Sequence, residues 1–264
     1  MSLPSEPGAS DASLARLAET WNRLGAEDPL WAILSDDAKR GNRWERAEFF
    51  ATGEREIEAA LAHVRALVPL RSARALDFGC GVGRLTQALA RRFERVDGVD
   101  AAASMIEHAR RLNEHGERCT YHLNARADLA PFADGSFDFV YSSLTLQHMQ
   151  PALARGYILE LCRVLAPGGV LLFQLPTRPA RPPSPLRRVL RAGYRLWLRR
   201  VRRRALIDMF GTPEVQVEAL VRGAGCRLLD VADSHQSGSD WHGRLYSVVR
   251  ASAPGHHAGD WTAR

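Results

Sequence analysis

Cysteine is scarce. The chain has four in 264 residues, at positions 80, 119, 162 and 226. No C-x-x-C pair exists, so neither a zinc site nor a dithiol redox motif is indicated, and no metal is expected. Thiols this scattered fit reduced, buried side chains in a cytoplasmic compartment. Long apolar runs are missing too, since none approaches the ~18 residues of a membrane-spanning helix. The first residues, Met1 to Gly8, lack the charged-then-apolar order of a signal peptide. Acid is absent from one stretch: residues 178–204 hold eleven arginines and no Asp or Glu. The net charge is +6, so the rest of the chain stands at −5. The protein is mildly acidic and carries one basic insert.

What is present is organised around Arg74 to Thr86, which reads R-A-L-D-F-G-C-G-V-G-R-L-T. The short apolar run Ala75, Leu76 and Phe78 suits a buried strand, and Leu85 to Phe93 repeats its apolar residues at helical spacing. A strand therefore runs through Gly79, Gly81 and Gly83 into a helix, the opening unit of a nucleotide-binding α/β sheet. Glycine lets the backbone turn sharply there and lets a ligand lie against bare peptide groups. The helix N-terminus offers unpaired N–H donors to a carboxylate or phosphate. A dinucleotide fingerprint is G-x-G-x-x-G, but here the third glycine comes one residue early and Arg84 stands in its place. That argues against a nicotinamide oxidoreductase. Arg95 to Asp100 reads as the second strand. Asp100 ends it at about the spacing from Gly79 at which a carboxylate reaches a ribose diol. Capping the helix that follows, Ala101 to Arg110, is its other reading.

D-x-G-x-G-x-G from Asp77 to Gly83 resembles the first motif of the class I S-adenosylmethionine (SAM)-dependent methyltransferases of the small-molecule type. Further elements in the family's order extend the resemblance over about residues 74–176. They are Asp128 to Asp138 between the third and fourth strands, and the run L-A-P-G-G-V-L-L-F ending at Phe173. The resemblance implies a seven-stranded α/β Rossmann-like sheet of order 3-2-1-4-5-7-6 with strand 7 antiparallel. It implies SAM as cofactor, held by Asp77, Gly79, Cys80, Gly81, Gly83, Asp100, Ala101, Met105, Asp128, Leu129 and Ser142. In this family the acid after strand three bonds the adenine amino group and a backbone N–H meets a ring nitrogen. Asp128 and Leu129 match those places, although the acid also occurs two residues earlier, where this chain has Arg126. Strand four ends in Tyr141-Ser-Ser-Leu, not in the Asn/Asp-Pro-Pro-Tyr of enzymes that methylate amino groups or nucleobases. A small-molecule or lipid-linked acceptor is expected.

The remainder is read from pattern. Residues 1–13 and 251–264 are expected to be disordered tails. Residues 14–70 form a helical cap and residues 71–250 the methyltransferase domain. Trp44 and Phe50 either staple the cap to the sheet or shape the acceptor pocket. Gln147 and His148, at the end of strand four, are candidate acceptor contacts. His148 is either a base titrating near neutral pH or a packed structural residue. His235 and Trp241 fall in a loop between the last two strands and are further acceptor candidates.

Residues 177–212 are a Pro- and Arg-rich insert in which 186–209 makes an amphipathic helix. Three readings of it stay open: a lid on the acceptor cleft, an interfacial helix on anionic lipid, and a nucleic-acid contact. No binding module and no interleaved aromatics support the last, so no nucleic-acid partner is expected. The alternative to a transferase is a non-catalytic SAM-binding or membrane-docking protein that works through 186–209. A cytoplasmic enzyme peripheral at the inner membrane surface joins the two. The sequence leaves oligomeric state open.

Overall fold

The computed structural model describes residues 7–180 and 207–251, with side chains from residue 10 onward. Seven strands form one sheet: β1 (Arg74–Phe78), β2 (Arg95–Asp100), β3 (Cys119–Leu123), β4 (Phe137–Ser142), β5 (Leu165–Pro179), β6 (Cys226–Ser234) and β7 (Trp241–Arg250). Their order is β3-β2-β1-β4-β5-β7-β6. β7 alone runs antiparallel, against both β5 and β6. This is the order and sense the resemblance implied. The central strands have no wet face. Leu76, Phe139, Val140, Leu171 and Phe173 are 0% exposed, as expected of a parallel sheet covered on both sides.

The helices are α1 (Pro7–Glu27), α2 (Pro29–Ile33), α3 (Arg46–Leu67), α4 (Arg84–Leu89), α5 (Ala103–Leu112), α6 (Pro151–Val164) and α7 (Glu214–Gly223). The cap is α1 to α3. α1 begins at Pro7, inside the stretch whose composition suggested a tail through residue 13. Burial explains the difference, because Ser13 and Leu14 are 7% and 2% exposed and Leu14 joins the main core cluster. Two boundaries on the acceptor side also move. Trp241 and His242 belong to β7 and not to the preceding loop, because they pair with Pro179 and Arg178 at the end of a long β5. The pattern Phe139 to Ser143 reads as strand four, but β4 begins two residues earlier, at Phe137.

Two core clusters sit on the two faces of the sheet. One packs α1, α6 and α7 on β1, β4, β5 and β7, and the other packs α3 and α4 on β1, β2 and β4. A third, smaller one holds Leu24, Phe49, Val82 and Met105 together and ties α1 and α3 to the glycine turn. α1 is further fixed by Ser104, whose N–H donates to Asn22 Oδ1 and whose Oγ donates to Asn22 O, both at 3.0 Å. The basic helix expected over 186–209 lies outside the described residues except for Ile207 to Met209, which are not helical. The tail expected at 251–264 also lies outside them, apart from Ala251.

Candidate functional site

A cavity of about 560 Å³ opens at the carboxyl ends of β1, β2 and β4. Its first wall is the glycine turn. Gly79, Gly81 and Gly83 have φ of 81°, 52° and 85°, a region that side-chain-bearing residues rarely adopt. A Cβ on Gly79 would run into Thr145, and one on Gly81 would come within 2.6 Å of Ile33 Cδ1. The turn is pinned to β2, since Gly79 N–H and Cys80 N–H both donate to Val99 O, at 2.8 and 3.0 Å.

Asp100 completes this wall. Its Oδ2 accepts from Gly81 N–H at 2.9 Å and its Oδ1 from Ala102 N–H at 2.8 Å. The carboxylate thus closes the start of α5 and braces the glycine turn while lining the cavity. Burial raises its pKa, against the pull of these N–H groups. The N–H groups of Gly81, Ala101 and Ala102 hold the carboxylate, which keeps acceptor capacity for a ribose hydroxyl. Ala101 and Met105 line the same wall.

The other cofactor-site residues inferred from sequence fall elsewhere. Asp77, 1% exposed, lies beneath the turn; its Oδ2 accepts from Thr86 Oγ1 at 2.7 Å. Burial lifts its pKa to about 7. Gly83 is buried against Tyr121, and Cys80 is a buried thiol whose pKa burial raises well above the ordinary value. Ser142 donates to Phe78 O at 3.1 Å, and it is the neighbouring Ser143 that reaches the cavity. Asp128 and Leu129 are not on the cavity wall. Asp128 forms a two-point pair with Arg126, at 2.9 and 3.0 Å, which lowers its pKa. Leu129 N–H donates to Glu160 Oε2 at 2.8 Å. The wall there is Asn124, which donates from Nδ2 to Asp128 O and accepts Arg126 N–H at Oδ1. Asn124 has no signal in the sequence beyond its place after β3.

The second wall is mostly apolar and comes from distant segments: Leu14, Leu17 and Trp21 on α1, Met149 after β4, and Ile207 and Met209. Sequence periodicity shows the first three only as the buried stripe of a helix. Gln147 and His148 line the cavity beside it. His148 Nδ1 lies 2.9 Å from Asp208 O, its ring meets Trp21 edge-on at 5.4 Å, and burial drops its pKa to about 4. It is neutral at pH 7. From the loop after β6 the cavity receives Gln236 and Ser237, whereas His235 and Trp241 are not on its wall. Trp44 and Phe50 are also off it. They flank Phe49 edge-on at 5.7 and 5.6 Å, and Trp44 Nε1 donates to Leu34 O at 3.1 Å.

Among the described wall residues Asp100 is the one charged group, and none of them is a cation. No cluster of three or more metal-binding side chains occurs among the described residues. No helix among them is long and apolar enough to cross a membrane.

Residues 76–173 match the family model described as a methyltransferase domain. Over 115 residues the chain is 37% identical to a ubiquinone biosynthesis O-methyltransferase of Xanthomonas campestris, a match covering 43% of this chain and 47% of that protein. A protein of the same name from Xylella fastidiosa is 36% identical over 113 residues, 42% of this chain and 45% of the relative. The chain thus spans about half the length of the curated relatives it matches. Among solved structures, the SAM-bound magnesium protoporphyrin IX methyltransferase of Synechocystis superposes with a TM-score of 0.60 at 17% identity, covering 90% of this chain and 97% of that one. A SAM-dependent methyltransferase of Leishmania major gives 0.62 at 17% identity, over 89% and 82%. At these identities the likeness is one of fold.

Proposed function

We propose that this chain, whose residues 76–173 match the methyltransferase-domain family model, transfers a methyl group from SAM to an uncharged, largely apolar small molecule. The observation that carries the proposal is one cavity that joins a bare-backbone glycine turn and a ribose-competent Asp100 to a separate apolar wall.

The donor half fits the cofactor. Gly79 and Gly81 present bare backbone to the cavity, Asp100 keeps acceptor capacity for a ribose hydroxyl, and Met105 and Ala101 offer apolar surface. Bound SAM would supply a methyl already activated on a sulfonium; the carbon–sulfur bond would break as the acceptor bond forms, with S-adenosylhomocysteine (SAH) leaving and the proton of a hydroxyl acceptor passing to solvent. The protein's share is alignment, for which proximity can supply roughly 7–11 kcal/mol, and exclusion of water by Leu14, Leu17, Trp21 and Met149.

The acceptor half supports the substrate class. An anion placed against Leu17, Trp21, Met149 and Met209 would be desolvated with no cation on the described wall, and a cation would find only Asp100, on the donor side. The named relatives methylate oxygen in ubiquinone biosynthesis, so apolar ring hydroxyls are the first acceptors to screen. Contact of the arginine-rich stretch 178–204 with an anionic membrane belongs to the same proposal, supported by its composition.

The test is calorimetric titration with SAM, SAH and NADH, on the parent and on Asp100→Ala. Micromolar binding of the two sulfur ligands alone is expected, weakened at least tenfold by Asp100→Ala. Equal affinity in the variant would overturn the ribose assignment, and absence of SAH binding to the parent would overturn the transferase reading.

A further inference from the structure

We propose that Gln174 and Gln147 form a hydrogen-bond relay that fixes His148 as the neutral Nδ1–H tautomer, which makes the imidazole a positioning group of the acceptor wall and not the base of the reaction. The role in the reaction rests on the transferase reading above; the tautomer does not.

The polarity of the relay follows from its two ends. Leu144 N–H can only donate, and it meets Gln174 Oε1 at 3.3 Å. That orients the Gln174 amide, so its Nε2 donates to Gln147 Oε1 at 3.2 Å and to Ser237 Oγ. Ser237 Oγ in turn donates to the same Gln147 Oε1 at 3.2 Å. With its oxygen accepting twice, Gln147 turns its Nε2 to His148 Nε2 at 3.1 Å. An amide nitrogen has only hydrogens to offer, so this ring nitrogen must accept. The proton of the neutral ring then sits on Nδ1, which faces Asp208 O at 2.9 Å, and a carbonyl can only accept. A chain that starts on an obligatory donor and ends on an obligatory acceptor leaves no free choice of amide flip or tautomer between them.

Burial makes that choice costly to violate. Gln174, Gln147 and Ser237 are 0%, 4% and 7% exposed, so reversing one amide would strand buried donors against donors. A second bond, Phe210 N–H to Gln147 O at 2.7 Å, holds the same residue by its backbone. The relay thereby joins three borders of the cavity, the turn after β4, the loop after β6 and the segment that enters at Ile207, to β5 behind them.

His148 also lies between the main cavity and a smaller one of about 200 Å³, where Arg16 and Asp208 are the charged residues beside it. Burial disfavours the imidazolium. The lone pair of Nε2 is already engaged by Gln147, so the ring cannot take an acceptor's proton while the relay is intact. The acceptor atom is therefore one that is nucleophilic without help from this imidazole.

Long-range ¹H–¹⁵N spectra of the full chain labelled with ¹⁵N-histidine test the relay, with His148→Asn used to assign the signals. The Nδ1–H pattern is expected at pH 7, unchanged down to about pH 5. In Gln147→Glu the carboxylate still accepts from Gln174 and Ser237 but cannot donate to Nε2. The imidazole should then gain a proton and titrate at least one pH unit higher. An Nε2–H pattern in the parent, titration of the parent near 6.5, or unchanged signals in Gln147→Glu would each overturn the relay. If Gln147→Glu does not fold, the parent spectrum decides alone. SAH titration of the same samples separates the two readings. Binding of SAH with an Nε2–H imidazole would sink the relay only, and an Nδ1–H imidazole without SAH binding would sink the transferase reading only.

Discussion

Asp77 shows what one residue of the glycine motif costs and what it does. Its side chain is enclosed; Thr86 satisfies Oδ2, while Oδ1 has no partner among the described residues. Burial is the main force that lifts its pKa to about 7, with Glu56 and Asp100 adding repulsion against the pull of Thr86 and Arg84. A raised folded-state pKa means the native protein holds a proton that the unfolded chain has already released. Stability therefore falls as pH rises from about 4 through 7, by up to about 4 kcal/mol in total. Asp77→Asn removes that dependence. Urea denaturation should find the variant more stable than the parent at pH 8 by about 1–3 kcal/mol and not at pH 5; a difference independent of pH would refute this account. The motif's spacing made Asp77, Gly79 and Asp100 readable because each acts within one strand–turn–helix unit. It could not say that Asp77 works from beneath the turn, since that depends on which face of β1 the helix α4 covers.

At the scale of elements, the cap is joined to the sheet by charge as well as packing. Arg84 follows the last glycine of the turn, where a dinucleotide fingerprint would have its third glycine, and it is 3% exposed. Its Nη2 donates to Glu56 Oε2 on α3 at 2.8 Å. Glu56 Oε1 also accepts from Tyr141 on β4 and from Gln236 in the loop after β6, both at 3.0 Å. Burial pushes the Glu56 carboxyl upward, but the Arg84 charge and the hydrogen bonds of Ser143, Arg84 and Tyr141 together hold it below the ordinary value. One carboxylate thus connects α3, α4, β4 and a loop that lines the cavity. Glu56→Gln keeps most of the hydrogen bonds but leaves the buried guanidinium without a counter-charge, a loss of about 3–5 kcal/mol. Replacing both partners, Glu56→Met with Arg84→Met, should recover most of it. Urea midpoints of the three proteins check this, and a double variant no more stable than Glu56→Gln would mean that the hydrogen bonds matter more than the charge. Arg84 was legible as the residue that broke a fingerprint. Its partner lies 28 positions away on a helix read only by its apolar stripe, and local pattern carries no information about such a pairing. The same limit explains Asn124, Trp21 and Ser237, which reach the cavity through tertiary packing, and the start of β7, which Trp241 joins because β5 is long enough to pair with it.

Across the whole molecule, charge is divided as sharply as chemistry. Outside residues 178–204 the chain carries −5, and within them +11 from arginine alone. That stretch lies in sequence between two segments that border the acceptor side. Ala180 N–H, after β5, donates to Asp240 O at 2.8 Å, and Ile207 and Met209 line the cavity. An apolar acceptor is sparingly soluble in water and partitions into bilayers, so a methyltransferase with a dry acceptor wall gains from standing where the acceptor is concentrated. Arginines near an anionic surface contribute about 1 kcal/mol each, an attraction that falls off within a Debye length of about 8 Å at physiological salt. The protein should therefore co-sediment with phosphatidylserine-containing vesicles at 0.15 M salt and be released at about 0.5 M, where that length is shorter. Neutral phosphatidylcholine vesicles should not retain it. Changing Arg187, Arg188, Arg191, Arg195, Arg199 and Arg200 to Gln should abolish vesicle binding while leaving SAH affinity unchanged, because the donor-wall residues Gly79, Gly81 and Asp100 lie in other segments. Retention on anionic vesicles after that change would place the contact elsewhere, whereas a parallel loss of SAH binding would mean the stretch helps to build the site and does more than locate it.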